Sequence, residues 1–418
     1  MNTETLTTYT TRDAKERDSS MTHSELRLSP QRIEERKIEA ILEQYKEATG
    51  DTYDIIPVGE VGYILQSREH TPTPERDWFM FDYDYTLAQV NEAKERRFKL
   101  YKEHTTNLGI NASDEQLERA IKITDKFARM DVIPGKGESY SPGAHAVALD
   151  WATKRLQAAA STDAYDDVLT KTDQDLKRIR EQLLNTDEDG AVTAPKNTRL
   201  ADDPFYFRPE DHRLVTSKDP WAKGIEKTIS QTVSNPELYT ETVEAASRVG
   251  QRQGEAEESN LGVFTFGHPD NQITKVLRLI AREPDFRPNQ IWLSKVRKGE
   301  FLKELVKLQS QKDAMVFNGR AHVNPLSKDE HIIVVMDDNK KELNSILEAN
   351  PTVRENSGAL LSVVRSTRPG TKTGREEWAV EAPNENVDFS REDLTADDAK
   401  HILQHSRTMA RTQLADMI

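Results

Sequence analysis

Four apolar residues that run directly into two aspartates constrain the fold of this chain more than any other feature. Trp78–Phe81 is followed at once by Asp82 and Asp84, with one tyrosine between them. A short apolar run bounded by polar residues is typical of a buried strand in a parallel sheet. Ligands of open α/β sheets bind beyond the carboxyl ends of such strands, so the pattern places two carboxylates where chemistry usually occurs.

A second apolar run, residues 261–264, ends in the hydroxyl residue Thr265 and then Gly267. Residues 271–281 follow it with apolar side chains at helical spacing. Backbone amides at the start of a helix form a ready anion site. This order of strand, threonine and helix therefore indicates a position suited to an anionic group.

A third apolar run, residues 332–336, ends in two adjacent carboxylates, Asp337 and Asp338. Asn339 follows them, and taken alone this ending is also typical of a helix N-terminus. The same ambiguity holds for each run by itself, because short acidic patterns recur by chance. The order of the three runs is more informative than any one of them.

Together these runs resemble the motif set of the haloacid dehalogenase (HAD) superfamily of phosphohydrolases. The segment 82–86, Asp-x-Asp-x-Thr, is similar to the first motif. Thr265 stands at the second motif, and Asp337 with Asp338 stands at the fourth. The resemblance implies an α/β fold: a Rossmann-like HAD core with a parallel sheet, and a large, mainly α-helical cap domain.

The same resemblance implies Mg²⁺-dependent phosphatase chemistry through an aspartyl-phosphate. Asp82 would be the nucleophile, and Asp84 would act first as an acid and then as a base. Thr265 would bind phosphoryl oxygens. The metal ligands would be Asp82, Asp84 through its backbone carbonyl, Asp337 and Asp338, an oxygen-only set that suits Mg²⁺.

The third motif of the family is a single phosphate-binding lysine, for which the sequence offers three candidates. Residues 290–294 read as a strand, and Lys298 stands at the start of the helix that follows. Lys298 fits best, with Lys295 and Lys303 as alternatives. Residues 313–329 would then be an extra loop before the fourth motif.

The long gap between the first two motifs sets the predicted domain organisation, because it far exceeds one strand-to-strand crossover. We predict a disordered tail (1–29), an N-terminal helix and hairpin (30–75), a HAD-like core (76–88 and 236–367), a helical cap insert (89–235), and a linker with a C-terminal helix (368–418).

Composition excludes several classes of protein. The net charge of −14 argues against a nucleic-acid partner, which needs a basic face. The absence of cysteine excludes disulfides, thiolate catalysis and Cys-based zinc sites. No apolar run reaches the length of a membrane span, and the chain start lacks a Sec-signal pattern. We therefore expect a cytoplasmic protein without a membrane partner.

The expected function is hydrolysis of a small phosphorylated metabolite or nucleotide, because large helical caps suit small substrates. One alternative is a non-catalytic interaction or scaffold protein on a HAD-like core, which the large polar insert favours. Another is a protein or polynucleotide phosphatase, although such enzymes usually have open sites. The sequence leaves the oligomeric state open.

Overall fold

The structure is a computed structural model that describes residues 30–73, 76–131, 138–140, 142–183, 205–208, 213–216, 236–250, 259–309, 316–317, 320–321, 326, 331–368, 385–388 and 394–415. The predicted tail at residues 1–29 and most of the predicted linker after residue 368 lie outside these ranges.

The described elements follow one another along the chain, with the predicted cap insert between β3 and α6. They are α1 (Pro30–Thr49), β1 (Tyr53–Val58), β2 (Gly62–Ser67), β3 (Trp78–Phe81), α2 (Val90–Asn107), α3 (Asp114–Ala128), β4 (Arg129–Asp131), β5 (Glu138–Tyr140), α4 (Pro142–Gln157), α5 (Tyr165–Leu183), β6 (Phe205–Arg208), β7 (Arg213–Thr216), α6 (Thr240–Gly250), β8 (Asn260–Phe266), α7 (Pro269–Arg282), β9 (Gln290–Ser294), α8 (Lys298–Gln309), β10 (Val316–Phe317), β11 (Arg320–Ala321), β12 (Ile332–Asp337), α9 (Lys340–Ser357), β13 (Leu360–Thr367), β14 (Glu385–Asp388) and α10 (Ala396–Ala415).

Eight of these strands form one sheet in the order β1-β2-β9-β8-β3-β12-β13-β14. Six neighbouring strands of this sheet are mutually parallel: β9, β8, β3, β12, β13 and β14. Counted in chain order, they give the arrangement 3-2-1-4-5-6, which is the Rossmann order. The prediction of an α/β, Rossmann-like fold with a parallel sheet is confirmed, and the strand order reverses between β3 and β12.

Helices cover both faces of the sheet, so its central strands are apolar on both sides. Phe79 and Phe81 of β3 pack with residues of α1, α6, α7 and α10. Trp78 and Met80 pack on the other face with residues of α8 and α9. Because side chains alternate along a strand, burial on both faces produces the continuous apolar run seen in the sequence.

The predicted N-terminal hairpin, β1 and β2, is present and extends the main sheet, because β2 pairs antiparallel with β9. Gly62 permits this contact. Its φ is +150°, and a Cβ there would lie 2.0 Å from the carbonyl oxygen of Leu293. The hairpin is therefore continuous with the core sheet.

The described part of the predicted cap insert is mainly α-helical, as expected, and residues of α2 to α5 share an apolar cluster of their own. It also contains two short antiparallel hairpins, β4–β5 and β6–β7, which the sequence did not predict. Strands of three or four residues are too short to show an alternating pattern.

Two adjacent connections join the cap insert to the core. The amide of Gln89 donates to the carbonyl of Glu237 at 2.7 Å, and the amide of Tyr239 donates to the carbonyl of Leu87 at 3.0 Å. The departing and returning chains are therefore hydrogen-bonded to each other, directly after the loop that follows β3.

The C-terminal helix α10 packs on the core with an ion pair between its Arg411 and the buried Asp77. The Asp77 carboxylate, 2% exposed, accepts from Arg411 Nη2 at 2.6 Å and from the amide of Ile332 at 2.9 Å. Among the helices that the structure describes, none is long and apolar enough to cross a membrane.

Candidate active site

The carboxyl ends of β3 and β12 bring together Asp82, Asp337 and Asp338. Phe81 pairs in parallel register with Met336, so the residues that follow them lie side by side. Each of the three aspartates offers a carboxylate oxygen within 4.8 Å of the others. This acidic cluster (Asp82, Asp337 and Asp338) lies where the strand order reverses, which is where open α/β sheets bind ligands.

A fully buried lysine bridges two members of the acidic cluster. Lys298 Nζ donates to Asp82 Oδ1 at 2.7 Å and to Asp337 Oδ2 at 2.5 Å. Its own amide donates to Glu342 Oε2 at 2.9 Å, which ties the start of α8 to α9. At Gly299, a Cβ would lie 1.9 Å from the carbonyl oxygen of Ser345, so glycine permits this close helix approach.

The two alternative lysines have other partners. Lys295 Nζ donates to Glu34 Oε2 of α1 at 2.9 Å. Lys303 Nζ donates to Glu300 Oε1 on its own helix at 3.1 Å. Of the three candidates for the third motif, Lys298 is the one that contacts the acidic cluster.

The site concentrates negative charge away from water. Burial raises the pKa of Asp82 well above its ordinary value; Lys298 opposes this, and Asp337 and Asp84 add to it. Burial also raises the pKa of Asp338, and Asp337 and Asp82 raise it further. Burial by itself would lower the pKa of Lys298, but Asp337 and Asp82 outweigh it and raise that pKa.

The donor set of the acidic cluster fits a hard divalent cation. Its ligand atoms are all oxygens, and a cation between them would relieve the repulsion that raises the pKa of Asp82 and Asp338. The amide of Asn339 donates to Asp337 Oδ1 at 2.7 Å and fixes that carboxylate. These features suit Mg²⁺.

Asp84 lies outside the group of three carboxylates and pairs with a lysine that the sequence did not single out. Lys275 Nζ, on α7, lies 3.0 Å from both carboxylate oxygens of Asp84. Lys275 is only 4% exposed, whereas the Asp84 side chain is 34% exposed. No sequence signal marked Lys275, because it is one lysine beside an apolar helical stripe.

The predicted phosphate ligand Thr265 is buried on β8, the strand next to β3. Its hydroxyl donates to Gln272 Oε1 at 3.0 Å. The amide of Gly267, two residues on, donates to the carbonyl of Ser294 at 2.9 Å. Both donors thus have partners within the protein, so binding a phosphate here would require an exchange of hydrogen bonds.

A buried arginine at the end of β13 connects the first-motif loop to the returning chain of the cap insert. Arg368 donates to the carbonyl of Thr86 at 3.3 Å and also donates to Glu241 and Thr242. Its guanidinium lies 3.8 Å from the centre of the Tyr239 ring. The sequence predicted only a linker here, since nothing in it shows that Arg368 is buried.

Comparison with known proteins does not show a family for this chain. No protein-family model and no curated protein matches the chain. Among solved structures, the chain is similar to YfnB from Bacillus subtilis, a HAD-hydrolase by provisional assignment, in a magnesium-bound crystal form. The identity is 12%, the match covers 79% of this chain and 99% of that one, and the TM-score is 0.35. This likeness does not identify the chain, and the proposals below rest on its own residues.

Proposed function

We propose that this chain is a HAD-like, Mg²⁺-dependent phosphohydrolase that cleaves a small phosphomonoester through an aspartyl-phosphate. One observation carries the proposal: Asp82, Asp337 and Asp338 cluster at the reversal of strand order, with Lys298 buried between two of them. A nucleophile, a cation site and a fixed ammonium at one sheet edge are what phosphoryl transfer needs.

Asp82 attacks the phosphorus atom in this mechanism. Its carboxylate forms an oxygen–phosphorus bond, and the bond between phosphorus and the leaving oxygen breaks. Lys298 holds the other carboxylate oxygen of Asp82 and so fixes the direction of attack. Its ammonium also attracts the phosphoryl oxygens, on which negative charge shifts in the transition state.

Asp84 handles the proton in both half-reactions. In its protonated form it gives a proton to the leaving oxygen, and the resulting carboxylate then takes a proton from water. The water oxygen bonds to phosphorus, and the bond between phosphorus and Asp82 breaks, which releases phosphate and restores the Asp82 carboxylate. Lys275 contacts both oxygens of Asp84 and restricts their orientation. Partial exposure of Asp84 gives the leaving group and the water a route to this carboxyl group.

Asp337 and Asp338, with Asp82, would hold the cation. Mg²⁺ supplies neutralisation of phosphate charge when it is bound. The amide of Asn339 keeps Asp337 oriented toward Lys298 and the other carboxylates. The same cation would lower the repulsion between an anionic nucleophile and an anionic substrate.

Specific contacts also favour the alternative, a non-catalytic interaction protein on the same core. The hydroxyl of Thr265 and the amide of Gly267 are bonded within the protein, and Asp84 is paired with Lys275. A purely structural ion cluster would show such contacts too. An assay of phosphatase activity distinguishes the two functions.

Purified protein is expected to hydrolyse p-nitrophenyl phosphate in the presence of Mg²⁺, to stop when EDTA removes the metal, and to recover when Mg²⁺ is added back. Release of p-nitrophenol measures each step. Turnover that continues in EDTA would refute the metal site, and no turnover of any phosphomonoester in a metabolite and nucleotide panel would favour the interaction protein.

A further inference from the structure

The backbone of Tyr85 is strained next to the proposed acid. Its φ is +59°, and it is the one non-glycine residue with a positive φ among those that the structure describes. Bulky side chains rarely adopt this backbone conformation, and such strain clusters at functional sites. The strain marks Tyr85 as a candidate functional residue.

The Tyr85 phenol connects the core loop to the cap insert. Lys94 Nζ, in the second turn of α2, donates to the Tyr85 hydroxyl at 2.6 Å and lies 5.3 Å from the centre of its ring. Lys94 is exposed. A cap lysine is thus held beside the residue that directly follows Asp84.

Further cationic side chains of the cap lie near this contact. Arg97, one helical turn after Lys94, lies 3.8 Å from Asp125 of α3, and Arg129 lies 2.8 Å from the same carboxylate. Two cations thus contact one carboxylate, and the Arg129 side chain is 47% exposed. This cap basic cluster (Lys94, Arg97 and Arg129, with Asp125) carries an excess of positive charge.

Charged residues of both the core and the cap insert affect the pKa of Tyr85. Burial raises the pKa of Tyr85 to about 12; Asp84 and Asp338 raise it further, and Arg129 opposes them. Carboxylates of the core and an arginine of the cap insert therefore both act electrostatically on the Tyr85 phenol.

We propose that Lys94, together with Tyr85 and Arg129, binds an anionic group on the leaving portion of the substrate. The preferred substrates would then be phosphomonoesters that carry a second oxyanion, either a carboxylate or another phosphate. This inference rests on the proposed function. Its geometric reason is that Lys94 is held at Tyr85, which directly follows Asp84, the residue proposed to protonate the leaving oxygen.

Three synthetic esters test the inference: phenyl phosphate, 4-carboxyphenyl phosphate and 1,4-phenylene bisphosphate. The kcat/KM of wild-type protein is expected to be about tenfold higher for an ester with a second anion, mainly through a lower KM, because a charge-assisted contact is worth this much. The carboxylated and bisphosphorylated esters show which oxyanion is preferred.

Variants of α2 identify the residue responsible. Lys94→Gln is expected to bring the ratio of kcat/KM between charged and uncharged esters close to one, whereas Lys94→Arg retains most of it. Lys99→Gln removes an exposed positive charge from the same helix and is the matched control, with an unchanged ratio. Equal efficiency on all three esters, or a ratio that Lys94→Gln leaves intact, would overturn the inference.

A binding measurement separates this inference from the proposed function. Calorimetry with Mg²⁺ and the Asp82→Asn protein gives affinities for phenyl phosphate and 4-carboxyphenyl phosphate without turnover. If no ester is hydrolysed but the carboxylated ester still binds more tightly in a Lys94-dependent way, the phosphatase proposal fails and the anion site stands. Equal affinities would refute the anion site whether or not the protein is an enzyme.

Discussion

Asp82→Asn is expected to lower kcat for p-nitrophenyl phosphate by at least about a thousandfold, because an amide cannot replace the attacking carboxylate. The protein should remain folded. Lys298 keeps Asp337 as a partner, and the substitution removes one charge from a buried, repulsive cluster. Initial rates with Mg²⁺ give the loss of activity, and circular dichroism checks the fold.

Asp285→Asn is the matched control for this substitution. Asp285 is an exposed aspartate in the turn before β9, outside the acidic cluster, so its variant should have wild-type activity. Substantial turnover by a folded Asp82→Asn protein would remove Asp82 as the nucleophile. Equal losses in both variants would point to a general effect of lost charge.

Lys298→Met is expected to lower the free energy of unfolding by about 3–5 kcal/mol in EDTA, because it leaves buried carboxylates without their ammonium partner. Lys298 is fully buried, so solvent does not screen the loss. Mg²⁺ should restore part of the stability, since a cation that binds only the folded state stabilises it. Urea unfolding with and without Mg²⁺ measures both effects.

Lys303→Met, on the same helix, provides the control. The Lys303 side chain is 33% exposed and pairs with Glu300 nearby, so its loss should change stability by no more than about 0.5 kcal/mol. If Lys298→Met were as stable as Lys303→Met in EDTA, the ion pairs of Lys298 would not hold the site together. If only Lys303→Met lost activity, the third-motif assignment would move to Lys303.

The α/β class and the ends of its central strands could be predicted from sequence. The apolar run before Asp82 and the run before Asp337 both form buried parallel strands, and they lie side by side. This succeeds because strands buried on both faces leave an unbroken apolar pattern. The pairing of strands that are distant in the chain cannot be read from local sequence patterns. The resemblance to a known family supplied the expectation that these two strands end at the same site.

The sequence favoured Lys298 for the third motif but left Lys295 and Lys303 open as alternatives. Lys295 and Lys298 both follow β9, and the long segment before β12 makes the spacing uninformative. The position of α8 against α9 decides which lysine reaches the carboxylates. The Glu342 contact and the absence of a Cβ at Gly299 fix this position. Such packing depends on residues far apart in the chain.

Sequence analysis also missed residues whose importance comes from a contact with another side chain. Lys275 stands beside an apolar stripe and looks like any helix-surface lysine, yet it is buried against Asp84. Tyr85 and Lys94 are nine positions apart with a helix start between them, and only the loop conformation brings them together. The pattern of apolar and polar residues in a sequence does not show a side-chain contact that depends on an unusual backbone conformation.

Diffraction from crystals grown with Mn²⁺, which replaces Mg²⁺ and scatters anomalously, tests most directly whether the carboxylates share one cation. We predict a single anomalous peak within about 2–3 Å of carboxylate oxygens of Asp82 and Asp337, with Asp338 beside it. A peak elsewhere, or none while Asp82 and Asp337 keep their contacts with Lys298, would contradict the metal-dependent phosphatase site.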